Sequence, residues 1–328
     1  MNEMDISIAI IICSFIIGMS IGANDAANAI GLLVGSNTMG FRKSAIVVSI
    51  FIILGAVLQG HGVIKTIGKD IIHGTEVNRN SVLIFSALFS AILLIGLMTL
   101  MAFPISTTHA IIGSIVGAAI AINIHDRINF LKLYELFLSW ILTPLFAIIS
   151  AILIHFLIII PISKRMSIIE FNRILQSLLL IGTISLAYSI GANNIGNSVG
   201  PVISAGIIAD IIILTLAFGI SMGLGAVLLS KRVVLTVGKR ITAMGPVMAF
   251  TSQFSAGLTI YFFTLLGIPV SSTQAVIGGV LGTGLIKGTR AVDRETMKYI
   301  LLGWILTPVI ATLFSMLTYL FLNKFLQL

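Results

Sequence analysis

Charge is what this sequence most lacks. Only 9% of its 328 residues are Asp, Glu, Lys or Arg, against about a quarter in an ordinary water-soluble domain. A chain that is 58% apolar and so poor in charge cannot cover a soluble surface, and it is too hydrophobic to stay disordered. Cysteine is nearly absent. Cys13 stands alone, which excludes an internal disulfide framework and leaves the redox compartment unreadable. No Gly-x-x-x-x-Gly-Lys-Ser/Thr loop occurs, so a P-loop ATP site is excluded. No His-Glu-x-x-His occurs either, and the histidines show no metal-ligand spacing. The chain reads as a non-enzyme without a resident cofactor.

A net charge of +8 would suggest nucleic acid in a soluble protein. Here nearly all Lys and Arg sit in short loops between apolar runs, where membrane proteins carry them. Nucleic-acid binding is excluded on that distribution, and the partner implied is the lipid bilayer. The first apolar run starts near Ile6, preceded by Glu3 and Asp5 and by no Lys or Arg. A basic n-region is missing, so the run reads as a retained transmembrane helix rather than a cleavable signal. Its N-terminus is expected on the non-cytoplasmic side.

Apolar runs predict helices near 6–21, 44–60, 81–103, 133–160, 174–190, 207–230, 242–266 and 299–323. Shorter runs lie near 26–36, 108–122, 195–205 and 273–286. A full span needs about 17–25 residues, so these read as half-helices that begin inside the membrane.

The chain is written twice. Gly22-Ala23-Asn24-Asp25-Ala26-Ala27-Asn28 recurs as Gly191-Ala192-Asn193-Asn194-Ile195-Gly196-Asn197. Thr66-Ile67-Gly68-Lys69 recurs as Thr236-Val237-Gly238-Lys239. Pro104-Ile105-Ser106-Thr107-Thr108-His109 recurs as Pro269-Val270-Ser271-Ser272-Thr273-Gln274, and Trp140 through Pro144 as Trp304 through Pro308. Each copy follows its partner by about 164–170 residues, and four motifs in one order mark an internal repeat. The halves are 1–160 and 174–328, joined by a polar linker at 161–173, within one integral membrane domain. Short, Gly- or Pro-interrupted segments at matching positions of two halves point to a transporter site, and such repeats often have inverted topology. The fold class expected is an all-α polytopic membrane protein whose two inverted repeats bring broken helices and re-entrant hairpins to a midplane site.

The repeated motifs carry two kinds of chemistry. A proline that ends one helix, followed by Ser and Thr that cap the next, leaves the first N–H groups of the new helix without acceptors. With the helix dipole they form an anion site. Ser106, Thr107, Thr108, Ser271, Ser272 and Thr273 add up to six hydroxyls around it. The other motif brings hard oxygens into the membrane through Asn24, Asp25 and Asn28. A charge at that depth costs at least about 2.5 kcal/mol, so it marks a functional candidate. Gly22 is expected to end the first helix and free its carbonyls. Asp25 suits a cation such as Na⁺, or a proton. In the second copy Asn193, Asn194 and Asn197 keep the oxygens and lose the charge, so the first half-site should hold a cation more tightly. An anion entering a negative cell works against the membrane potential, which explains why anion and cation motifs coexist.

These motifs resemble those of the inorganic phosphate transporter family, sodium- or proton-coupled phosphate permeases. The resemblance rests on residues 22–29, the Ser-Thr-Thr stretches and the Thr-x-Gly-Lys motif, and it covers nearly the whole chain. It implies phosphate at Ser106, Thr107, Thr108, Ser271, Ser272 and Thr273. It implies co-transported Na⁺ or H⁺ at Asn24, Asp25, Asn28, Asn193, Asn194 and Asn197. Asn194 stands where the family has aspartate, which leaves room for sulfate, moved by some relatives, and for a different cation count. His109 and Gln274 follow the hydroxyl runs and are read as a supporting layer around the anion. Asp210 reads as a helix-start residue, and the doubled Gly113/Gly117 and Gly278/Gly282 as close helix packing. The expected location is the cell membrane of a prokaryote, and a homodimer is compatible with the sequence.

Overall fold

The computed structural model describes residues 3–36, 38–74, 80–100, 105–208, 210–235, 245–288 and 294–326. The repeated motif at 236–241 and Pro104 lie outside them. Among the described residues seven helices have the length and apolarity to cross a membrane, so this is an all-helical, multi-pass membrane protein. Among the described residues the one strand-like contact is a bridge between Ile72 and Ile128.

In the first half α1 runs Glu3–Gly35, α2 Phe41–Gln59 and α3 His61–Lys65, the last continuing into a π-turn over Thr66–Asp70. Then come α4 (Ser81–Leu100), the short α5 (Thr107–Ala121) and α6 (Phe130–Ile154), which passes through a π-turn into α7 (Ile160–Arg165). The second half holds α8 (Ile168–Ser204), α9 (Ile211–Leu228), α10 (Pro246–Leu265), the short α11 (Ser272–Lys287) and α12 (Arg294–Leu326). The segment read as a polar linker at 161–173 is helical except at Met166 and Ser167. The Ser167 hydroxyl caps α8 by accepting from Glu170 N, and the Glu170 carboxylate accepts from Ser167 N at 3.0 Å. That reciprocal pair is a capping box. Asp210 caps α9 in the same way, accepting from the N–H groups of Ile212 and Ile213.

Two expectations are corrected. Helices were expected to break at Gly22 and Gly191, giving separate half-helices near 26–36 and 195–205. Instead α1 and α8 are continuous for 33 and 37 residues. These glycines do not loosen the backbone. They admit another helix. A Cβ on Gly22 would collide with the carbonyl of Met222, and one on Gly191 with the carbonyl of Ile52. Close backbone approach at small residues is how membrane helices gain packing without a hydrophobic drive. The other two short helices hold as expected: α5 and α11 have 15 and 16 residues.

The packing is reciprocal. Gly22 of α1 keys into α9 while Gly191 of α8 keys into α2. Gly113 of α5 would place a Cβ 2.5 Å from the Pro308 carbonyl of α12, and Gly278 of α11 would place one 2.5 Å from the Pro144 carbonyl of α6. Each residue in one pair is the repeat counterpart of a residue in the other. The halves therefore exchange their contacts rather than sit side by side. Outside this core, α6 presents Phe137, Ile141, Leu145, Ile149 and Leu153, and α12 presents Leu301, Ile305, Val309, Leu313 and Leu317, all exposed. A four-residue spacing forms an apolar stripe along one helix face, the surface lipid requires.

Candidate functional site

The short helices α5 and α11 start where the sequence places their caps. Ser106 has φ −84° and ψ 107° and accepts from His109 N. Ser271 has φ −85° and ψ 115° and accepts from Gln274 N. The intrahelical ladders begin at Ala110 N→Ser106 O, 3.2 Å, and Ala275 N→Ser271 O, 3.1 Å. The N–H groups of Thr107, Thr108, Ser272 and Thr273 thus have no acceptor in their own helix.

The two starts meet head on. Thr108 Oγ1 donates to the Val270 carbonyl at 3.2 Å, and Thr273 Oγ1 donates to the Ile105 carbonyl at 3.4 Å. These two bonds are repeat counterparts of each other. Between the helix starts lies Asp25. Its Oδ2 accepts from Thr107 Oγ1 at 2.8 Å and from Asn194 Nδ2 at 3.0 Å, and the Ser272 hydroxyl faces it from the other helix. Neither of the described ion pairs, Arg127–Asp126 and Lys132–Glu135, reaches it. A carboxylate held between two positive helix ends is itself placed as an anion would be.

All twelve anion and cation candidates are buried, each no more than 4% exposed, and hydrogen bonds tie those other than Asn24 and Asn28 to the two helix starts. The hydroxyl cradle is not six free donors. Thr107, Thr108 and Thr273 are spent on Asp25 and on the opposite carbonyls, and Ser106 and Ser271 accept as caps. An arriving oxyanion must compete for them. In the second half, the Asn193 amide braces the segment before α11. It donates to Thr264 Oγ1 at 2.9 Å and the Ile268 carbonyl at 3.0 Å, and its oxygen accepts from Val270 N at 2.9 Å. In the first half both amide atoms of Asn24, Oδ1 of Asp25 and Nδ2 of Asn28 are buried without a partner among the described residues.

His109 and Gln274 brace the helix caps through their N–H groups, which donate to Ser106 Oγ and Ser271 Oγ. His109 stacks on Trp140 with centroids 3.8 Å apart, and its Nδ1 bonds the Trp304 carbonyl at 3.2 Å. Both His109 and Gln274 line a cavity of about 800 Å³ between α6 and α12, with Pro144, Leu145 and Pro308. Two partners lay outside the motifs singled out. Gln253 donates to the Ala29 carbonyl at 2.8 Å and accepts from Thr183 at 3.0 Å, and Thr264 anchors Asn193. Gln253 gave no signal, since its repeat counterpart is Leu88, whereas Thr264 has a counterpart in Thr99, each five residues before the proline of its motif.

Two Gly-x-Ser-x-Gly stretches, at 196–200 and 219–223, lie inside continuous helices. A hydrolase elbow needs a sharp strand-to-helix turn, so neither is one.

A multi-pass helical protein with two opposed helix starts around a buried carboxylate has the layout of a membrane transporter. The model of the phosphate transporter family matches residues 21–171 and 161–315. The chain belongs to that family. A phosphate permease homologue from Methanocaldococcus jannaschii is 34% identical over 94% of this chain and 95% of its own. The sulfate permease CysP of Bacillus subtilis is 30% identical over 98% of this chain and 88% of its own. A solved structure titled the sodium-dependent phosphate transporter shares the fold, with a TM-score of 0.86 at 24% identity, covering 98% of this chain and all of that one.

Proposed function

We propose that this protein imports inorganic phosphate across the cell membrane by symport with cations, Na⁺ first and H⁺ second. Phosphate is held at the N-termini of α5 and α11 by Ser106, Thr107, Thr108, Ser271, Ser272 and Thr273, and the cation at the Asn/Asp motifs. The observation that carries this reading is the seat of Asp25. Its carboxylate already occupies the positive focus between the two helix starts, so a second anion is repelled until a cation neutralises it. Coupling then follows from electrostatics: the cation makes room for the anion. The reciprocal contacts of the halves support inverted repeats that share this site, and the full burial of the twelve residues supports a closed intermediate of alternating access.

Proteoliposomes loaded under an imposed Na⁺ or H⁺ gradient test the reading. Concentrative uptake of labelled phosphate is expected. Phosphate flux that never exceeds equilibration would sink it in favour of a passive path. A second reading, sulfate as cargo, is favoured by Asn194 in place of the family aspartate and by the sulfate permease relative. In competition, unlabelled sulfate should leave phosphate uptake nearly unchanged. Sulfate uptake without phosphate uptake would reverse the assignment.

Thr107 gives a finer test. A hydrogen bond to a charged group contributes about 1.5–3 kcal/mol, roughly tenfold to a hundredfold in an equilibrium. Thr107→Ala should weaken cation-dependent uptake by about tenfold or more on that scale, and Thr107→Ser should restore most of it. Equal rates for the alanine variant and the parent would remove Thr107 from the site.

A further inference from the structure

The equivalent asparagine and aspartate motifs of the two halves are not in equivalent states. In the first half Asn24 Oδ1 and Asp25 Oδ1 are buried and accept no hydrogen bond from the described residues, although the Ser272 hydroxyl faces the Asp25 carboxylate. In the second half the oxygens at the same positions are already engaged. Asn193 Oδ1 accepts from Val270 N, and Asn194 Oδ1 accepts from Asn197 Nδ2 at 3.4 Å. Asn197 Oδ1 alone is left over there. The amide of Asn194 faces the other way, donating to Asp25 Oδ2 at 3.0 Å.

We propose that Asn194 fixes the coupling ratio at one cation per phosphate. This rests on the phosphate-symport reading above. A free carboxylate oxygen, in a region where an unmet polar group is costly, attracts a hard cation, and Asp25 Oδ1 in the first half supplies it. An aspartate at position 194 would set a second negative charge against Asp25, and two cations would be needed to hold both. Asparagine puts a neutral N–H donor there instead. It supplies part of the stabilisation a second cation would give, and its own oxygen is occupied within the site. Asn194 is thus a positioning residue for Asp25 and sets how many charges move per cycle.

The charge count selects the form of the cargo. One monovalent cation with dihydrogen phosphate crosses without net charge. One cation with monohydrogen phosphate carries a net negative charge inward, against the membrane potential. Transport should therefore follow the monovalent anion and fall as pH rises through the second ionisation of phosphate.

The test uses the full chain in proteoliposomes, counting labelled Na⁺ against labelled phosphate, or protons by an internal pH dye where a proton gradient drives uptake. For the parent, a ratio near one, a Hill coefficient near one for the cation, and insensitivity to an imposed potential at low pH are expected. Asn194→Asp should raise the ratio toward two and make cation dependence sigmoidal. A parent ratio of two or more overturns the proposal whatever the variant does, so a variant that fails to fold does not protect it. A transporting Asn194→Asp with an unchanged ratio also overturns it. Absence of any gradient-driven phosphate uptake by the parent instead defeats the symport reading itself.

Discussion

Asp25→Asn is expected to reduce cation-driven phosphate accumulation by about a hundredfold or more, on the scale of a charged hydrogen-bond network lost from a buried site. The substitution keeps the shape of the side chain. Its oxygen can still accept from Thr107 Oγ1 and Asn194 Nδ2, the two donors within 2.8 and 3.0 Å of Asp25 Oδ2. What it removes is the only ionisable side chain among the twelve candidate residues. Without that charge no cation need bind before the anion does, and coupling is lost. The informative comparison is therefore between accumulation and exchange. Loss of accumulation with surviving phosphate exchange places Asp25 in coupling. Retention of full accumulation would exclude it from the cation site.

The second large effect concerns folding. Gly22→Leu should prevent the protein from reaching a monodisperse folded state in detergent. The first added carbon would already overlap the Met222 carbonyl, and a rigid backbone on a facing helix cannot move aside as a flexible side chain can. Overpacking a tight core costs about 1–3 kcal/mol and sometimes more, and here the clash is with main chain. Gly40→Ala is the control. Gly40 precedes α2 with φ −69° and ψ 154°, and nothing lies within 4 Å of its missing Cβ. Thermal melting of the two purified variants separates them: Gly40→Ala should melt with the parent. A stable Gly22→Leu protein would contradict the helix contact described above.

Gly22 also shows what the sequence could and could not reveal. Its place in a doubled motif was legible, and so were the helix starts at Ser106 and Ser271, because proline, serine and a following apolar run define a helix start locally. Whether a glycine breaks a helix or admits a neighbour depends on what stands opposite. Met222 and Ile52 lie far along the chain in other helices, and no local pattern announces them. The same limit hid Gln253, which acts through the Ala29 carbonyl. What the His109 ring touches needed the fold as well. Adjacency to Thr108 in sequence suggested adjacency in the site, but successive residues on a helix point in different directions, and its ring lies against Trp140. Asn194 was read correctly as a lost charge. That its amide would reach Asp25 in the other half required the fold.

The exchanged contacts of the two halves bear on how the chain is made. When α1 enters the membrane, the notch at Gly22 has no occupant, because Met222 has not been synthesised. The notch at Gly113 likewise waits for Pro308. Each half inserts as a set of helices with open seams facing lipid, and the seams close only when the later helices arrive. Contacts of such long sequence separation slow folding. Neither half is a finished object at any stage of synthesis, although the sequence is nearly the same paragraph written twice.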